Sequence, residues 1–563
     1  MNFKNKTLSI ILVLASLASV FSIYSFTKKK QSIEEIKPNI LYVYADQWRR
    51  MAMSYYSDPR FDNTYNQGDP VHTPHIDRCA VEGMIFHNAV ACSPICSPNR
   101  ASLITGQYPT THGLIANSNY ENFKFNNETI AHVLKENGYE TAHIGKWHMA
   151  MDENHWLDDG KYYESEKRGF DYWYGSPGHN HQHFDTRLYH AKDEIDGRGE
   201  YTPGGKVLPN PFFPSKDYAD KEISKEECWN PNHLTRKALD YLENSYEVRD
   251  NKKPFALYIS YNPPHTIHGP KPVEGNQGSW HIAGKKEGDE YHGKRSPGPE
   301  NMSYRAPMEF EKEYRDGANH SDAVKAGLRK RPNVPKDHYS RTKCLPGYYG
   351  AVNSVDYCFG QLDEYLANTP DPRYPNKKLK ETTIVIITAD HGEMMGSQGR
   401  MTKGIPMEES IAVPFIIRWP EHVPAGSEQS EVFNSVHVAP SLLGMLGYKF
   451  SEAVDGVDNS ALFFNKKNNN SPYAFLELRN WRAVRTANDI YIAEKLSKKE
   501  YQFTYYNLQE DPFQMNPLIL SPNEPISDIV QTPRLKVLHN ALRKHLKDIE
   551  DPKIQLKPFV SIK

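Results

Sequence analysis

Ile40-Leu41-Tyr42-Val43-Tyr44 is an unbroken apolar run that stops on Ala45-Asp46-Gln47. Apolar residues at successive positions, with no polar alternation, fit a strand buried on both faces, as inside a parallel sheet. Residues 141–144, 255–259 and 383–387 repeat the pattern. Between some of these runs lie helical stretches. One is 128–135, with Ile130, Val133 and Leu134 on one face and Asn137-Gly138 as the stop. Strand–helix alternation of this kind predicts an α/β fold, a large, mostly parallel sheet flanked by helices.

Each run leads into reactive side chains. Asp46-Gln47 follow the first, Lys146-Trp147-His148 the second, His265 the third and Asp390-His391 the fourth. Ligands of open α/β sheets bind beyond the carboxyl ends of the strands, so four such endings point to one site. Asp46 and Asp390, with Gln47 and His391 beside them, offer a cage for a hard cation such as calcium. Taken singly, an aspartate at a strand end is as readily the cap of the next helix. Cys96-Ser97-Pro98-Asn99-Arg100 precedes a short helical run, 101–104. There, unpaired N–H groups and the positive dipole end favour an anion beside Cys96, and Arg100 adds a fixed charge. Cys92-Ser93-Pro94 nearly duplicates the string but has no arginine at the matching offset.

The net charge of −2 over 563 residues gives no basic field for nucleic acid. Lys4 and Lys6 precede an apolar run over 8–26 with small residues in its middle, which reads as a signal peptide over 1–30. Export to the periplasm or the medium follows, with membrane attachment only if the segment stays uncleaved. The catalytic domain is expected over 31–434. A smaller C-terminal α+β subdomain, 435–563, follows with a helix near 440–446 and antiparallel strands over 483–492 and 501–508. Residues 151–250 and 266–345 read as long polar loops. The six cysteines are scattered, without the paired spacing of a zinc ribbon.

Cys-x-Pro-x-Arg at Cys96–Arg100, followed by Thr105-Gly106, resembles the signature of the formylglycine-dependent type I sulfatases of the alkaline-phosphatase-like superfamily. Asp46-Gln47 and Thr388-Ala389-Asp390-His391-Gly392-Glu393 are similar to that family's two metal-binding segments, which more often carry Asp where Gln47 stands. Gly145-Lys146-Trp147-His148, Tyr261-Asn262-Pro263-Pro264-His265 and Lys403-Gly404 resemble further family segments.

The resemblance implies an exported bacterial carbohydrate sulfatase. A maturation enzyme would oxidise Cys96 to formylglycine, whose hydrated aldehyde attacks sulfur. Calcium would be held by Asp46, Gln47, Cys96, Asp390 and His391. Arg100, Lys146, His148, His265 and Lys403 would complete the catalytic set, with His148 as proton acceptor and His265 serving the leaving oxygen in preference to His268. His179, His181, His183 and Arg187, with His190 nearby, fall where the family places substrate loops. Sulfated poly- or oligosaccharide is the implied substrate. The alternatives are a phosphoester or phosphonate hydrolase of the same superfamily and a non-catalytic secreted carbohydrate-binding protein.

Overall fold

The computed structural model describes residues 37–56, 68–149, 168–176, 189–191, 230–265, 341–520 and 532–558, apart from isolated positions and the short stretches 124–127, 395–396 and 398–401. Strand β1 (Asn39–Asp46) is followed by α1 (Pro74–Glu82), β2 (Met84–Val90), α2 (Cys96–Thr105), α3 (Ile130–Glu136) and β3 (Glu140–Lys146). Then come β4 (Tyr172–Ser176), β5 (Tyr189–Ala191), α4 (Asn230–Glu243), β6 (Phe255–Pro264), α5 (Arg341–Asn368) and β7 (Thr383–Ala389). The chain closes with β8 (Phe415–Arg418), β9 (Ser427–Asn434), α6 (Val438–Met445), β10 (Ala474–Leu478), β11 (Trp481–Arg485), β12 (Asp489–Lys495), β13 (Tyr501–Asn507), β14 (Leu518–Leu520) and α7 (Thr532–Asp548).

Nine strands form one sheet in the order β9-β2-β8-β7-β1-β6-β3-β4-β5. The central run β7-β1-β6-β3-β4 is parallel throughout, while β8 and β5 run against their neighbours. All eight residues of β1 are buried, which explains its missing alternation: helices cover both faces of the sheet. Tyr42 stacks on Tyr258 of β6, ring centroids 4.7 Å apart. Burying a large apolar side chain contributes about 1.5–3 kcal/mol, so a strand with every residue buried is firmly anchored.

The second sheet, β10 to β14 in sequence order, is antiparallel throughout. Its two faces separate by period two. Ile490 and Ile492 pack with Val90 and Val432 toward the large sheet, whereas Tyr491 and Ala493 pack with Leu535, Leu538 and Leu542 of α7.

Several expectations shift. The strand read over 483–492 is two strands, because Thr486, hydrogen-bonded to the N–H groups of Asn488 and Asp489, turns the chain. Helix α2 starts at Cys96 itself rather than at 101, since a proline in a first turn costs no intrahelical bond. The polar 151–250 stretch contains α4, whose apolar face (Leu234, Ala238, Tyr241, Leu242) is buried in the main core.

Candidate active site

Four parallel strand ends meet at one place. β1 ends on Asp46, β3 on Lys146, β6 leads to His265 and β7 to Asp390 and His391. Register sets their depth: Ala45 pairs with Ala389, and Asp46 with Pro264. Gly145 permits the turn at the end of β3. Its φ is +109°, and a Cβ there would come within 2.0 Å of the Ser260 carbonyl. Gln47 and His148 also hold positive φ, 69° and 59°. For non-glycine residues that conformation is costly and concentrates at functional sites.

Asp46, Cys96, Asp390 and His391, all buried, bring their ligand atoms within 4.8 Å of one another. The Cys96 thiol lies 3.2 Å from His391 Nε2 and 3.6 Å from Asp46 Oδ1. His391 Nε2 is 3.5 Å from both aspartates. His391 Nδ1 is 2.9 Å from the Gly392 carbonyl, which can only accept, so Nδ1 carries a proton and, in the neutral ring, the Nε2 lone pair faces the cluster. Two carboxylates and an imidazole lone pair form a donor set that fits a divalent cation, with the carboxylate oxygens favouring a hard one.

Positive groups surround the cluster. Arg100 donates from Nε to Asp390 Oδ2 (2.7 Å) and from Nη1 to the Lys146 carbonyl and Ser260 Oγ (2.8 Å each); its Nη2 lies 3.8 Å from Asp46 Oδ2. Lys146 donates to Asp46. Lys403 donates to the Gln47 side-chain oxygen and, at 3.1 Å, to His265 Nε2. Burial alone would raise the Asp46 carboxyl, but Lys146, Arg100 and Lys403 hold it well below the usual carboxylate range. Burial and Asp46 push the Cys96 thiol up, yet Lys403, Lys146 and His391 outweigh them and bring it below an ordinary thiol. Burial disfavours charge on Lys403, and the anions around it more than restore the ammonium.

The structure thus brings together Asp46, Gln47, Cys96, Arg100, Lys146, His265, Asp390, His391 and Lys403. Gln47 differs from a simple oxygen ligand: its backbone N–H donates to Asp390 Oδ1 (2.9 Å), and its amide bridges Lys403 and Glu393. His148 is buried two residues beyond Lys146, with its ring 6.1 Å from that of Tyr120. His179, His181, His183, Arg187 and His268 lie outside the described residues, as does the 1–30 segment. Cys79, Cys92, Cys96 and Cys358 are buried free thiols.

Three contributors had no role in the sequence reading. Asn99 donates to the Asp390 carbonyl (2.6 Å), Glu393 accepts from Gln47, and Ser260 accepts from Arg100. Asn99 sits between Pro98 and Arg100 and Glu393 three residues after Asp390, so proximity to the motifs was the available signal.

Comparison with known proteins finds matches over most of the chain. The family model described as "Sulfatase" matches residues 38–448, and one described as "N-sulphoglucosamine sulphohydrolase, C-terminal" matches 396–552. An endo-4-O-sulfatase of Bacteroides thetaiotaomicron is 27% identical, the match covering 95% of this chain and 97% of that protein. An ulvan-active sulfatase of Formosa agariphila is 28% identical over 93% of this chain and 87% of its own length. A solved structure from work on the metabolism of multiple glycosaminoglycans by Bacteroides thetaiotaomicron superposes with a TM-score of 0.65 at 25% identity, covering 92% of this chain and 97% of that one.

Proposed function

The chain belongs to the sulfatase family and is a sulfuric ester hydrolase, and from that premise we propose that it removes sulfate from a sulfated poly- or oligosaccharide, using formylglycine made from Cys96 and a bound calcium ion. The observation that carries this is the convergence of Asp46, Cys96, Asp390 and His391 within 4.8 Å, ringed by Arg100, Lys146 and Lys403. Family membership favours sulfate over the phosphate and phosphonate esters handled elsewhere in the superfamily, and the complete set of reactive groups speaks against a purely binding role. Relatives named as an endo-4-O-sulfatase and an ulvan-active sulfatase support a polysaccharide substrate.

Asp46, Asp390, His391, the Gln47 amide and the group made from Cys96 would hold the ion. When present, the aldehyde hydrate supplies the attacking hydroxyl, and the ion lowers its pKa and offsets charge. The remaining roles belong to this chain's own side chains. Lys146 and Lys403 oppose the negative charge of the sulfuryl oxygens. Arg100 fixes Asp390 through Nε, and its Nη2, which makes no hydrogen bond, remains available to an anionic oxygen. His265, whose Nε2 accepts from Lys403, would pass a proton from its other ring nitrogen to the departing sugar oxygen, and His148 would take one from the hydrate hydroxyl. His179, His181, His183 and Arg187 are assigned to substrate contact.

The same proposal includes export through the 1–30 leader, a catalytic domain over 31–434 and a C-terminal subdomain over 435–563. Among the described residues, no helix is long and apolar enough to cross a membrane.

Sulfate release across a panel of defined sulfated oligosaccharides, with mass spectrometry of the Cys96 peptide from the same enzyme, tests the proposal. Desulfation accompanied by an aldehyde at position 96 is expected. Full activity with an intact thiol there, or in a Cys96→Ser variant made without a maturation enzyme, refutes it.

A further inference from the structure

Lys403 stands on a strap, residues 402–411, that has little regular structure of its own beyond the single turn Glu408–Ile411. Its first residue, Thr402, has a φ of 68°, and its N–H donates to Glu393 Oε1 at 2.5 Å. Its far end is tied to the main body, where the Gly392 and Ala91 N–H groups donate to the Ser410 and Ile411 carbonyls at 2.9 and 2.8 Å, and the middle is held from the C-terminal antiparallel sheet and the loop between β13 and β14. Trp481, at the start of β11, donates its indole N–H to the Gly404 carbonyl (3.2 Å), one residue from Lys403. The amide of Gln514 grips two points: Nε2 donates to the Pro406 carbonyl (3.1 Å), and Oε1 accepts from the Glu408 N–H (2.6 Å). Arg485, at the end of β11, donates from Nε and Nη2 to the Glu408 carboxylate at 3.0 and 2.9 Å. It also reaches Asn88 of β2 at 2.8 Å, which ties the strap to the main sheet.

Gln514 is the unexpected member. Its backbone lies in the left-handed region, φ 53°, and the residue is only 2% exposed. An isolated turn would use glycine or asparagine there at lower cost. The side chain that replaces them satisfies one backbone acceptor and one backbone donor of the strap, which glycine cannot do. This is strain retained for a contact.

We infer that Gln514 and Trp481 are positioning residues for Lys403, so that the C-terminal subdomain helps to set the geometry of sulfate binding. The inference rests on the proposal that Lys403 clamps the sulfate group. Neither residue is close to the reacting atoms by sequence, and both act through the strap backbone. A lysine on a loosened strap keeps its charge but loses its fixed place, and misplacement of about 1 Å is enough to cost on the order of a hundredfold in rate.

A double-mutant cycle provides the test, with sodium sulfate as the probe and calorimetric affinity as the readout, in the presence of calcium; turnover is followed in parallel. Lys403→Ala is expected to weaken sulfate binding about tenfold or more. Gln514→Ala is expected to weaken it about three- to tenfold in the wild-type background and less than about twofold in the Lys403→Ala background. Equal effects of Gln514→Ala in both backgrounds would overturn the positioning role while leaving Lys403 as the clamp. No effect of Lys403→Ala, or no sulfate binding by the wild-type protein, would instead remove the premise and the inference with it. Trp481→Phe deletes one donor and keeps the packed ring, so it carries the same cycle if Gln514→Ala does not fold. Its expected effect is about twofold to fivefold, again absent without Lys403.

Discussion

Replacing Arg100 with lysine keeps the charge and removes the fork. The guanidinium spans two targets that one ammonium cannot reach together: Asp390 from Nε, and the Lys146 carbonyl with Ser260 Oγ from Nη1. A lysine that followed Asp390 would leave the Lys146 carbonyl without its donor. One that followed the carbonyl would leave the carboxylate unpaired. Each hydrogen bond to a charged group is worth about 1.5–3 kcal/mol, and a buried acceptor left unsatisfied costs about 1–3 kcal/mol more. The sum, about 2.5–6 kcal/mol, brackets the roughly 3–5 kcal/mol that breaking a buried ion pair costs. If about 2.7 kcal/mol of this is felt in the transition state, kcat falls about a hundredfold. The assay is sulfate release by ion chromatography, with conversion of Cys96 measured by mass spectrometry in the same sample, because Arg100 lies inside the Cys-x-Pro-x-Arg string. Arg100→Lys enzyme that is equally converted and within about threefold of wild type would show that charge alone suffices and that the planar fork has no special role.

Calcium at about 100 times its dissociation constant should stabilise the fold by about 2.7 kcal/mol. A raised thermal midpoint that EGTA reverses, with turnover lost alongside, is expected; an unchanged midpoint refutes a bound ion. Away from the site, burial would raise the Asp363 carboxyl, but Arg418, at 2.5 Å, and Lys380 hold it below its ordinary value. Its stabilisation is complete above the unfolded carboxyl pKa of about 4 and is lost as pH falls through the lower folded value. Asp363→Asn should therefore cost about 3 kcal/mol near neutrality and flatten the acid limb of stability, as urea unfolding at stepped pH will show. Gln47→Asp should tighten calcium and weaken sulfate, each by about tenfold; calorimetry showing both unchanged contradicts the charge accounting below.

The fold was legible where burial is complete. Strands β1, β3, β6 and β7 are continuous apolar runs because helices cover both faces of the sheet, and their reactive endings gave the site. β2, Met84–Val90, was passed over because His87 and Asn88 interrupt its pattern, although all seven residues are buried. His87 meets Glu428 at 3.0 Å, and Asn88 is held by Arg485, so the polarity is satisfied by partners hundreds of residues away. Local reading cannot see such partners. The same limit hid Asn99, Glu393 and Ser260, whose roles exist only once the strand ends meet. It also hid the strap contacts of Gln514, a residue that looks like ordinary turn polarity in the sequence.

The exchange of the family's usual Asp for Gln47 becomes intelligible through the charges it joins. Asp46, Asp390 and Glu393 are linked by hydrogen bonds or ion pairs to Arg100, Lys146 and, through the Gln47 amide, Lys403. Three anions face three cations, so the described cage is neutral while His391 is a neutral ligand. Uncompensated charge in such a buried place costs several kcal/mol, which makes neutrality a strong constraint on what enters. A divalent cation adds two positive charges. A sulfate monoester brings one negative charge and an ionised nucleophile oxygen a second, and the sum returns to zero. A phosphate monoester dianion would bring one negative charge too many. An aspartate at position 47 would leave the same excess once the ion, the ester and the ionised nucleophile are all present. Neutral Gln47 keeps a bridge between Lys403 and Glu393 without adding charge, and so suits the cage to a cation and a monoanionic ester together.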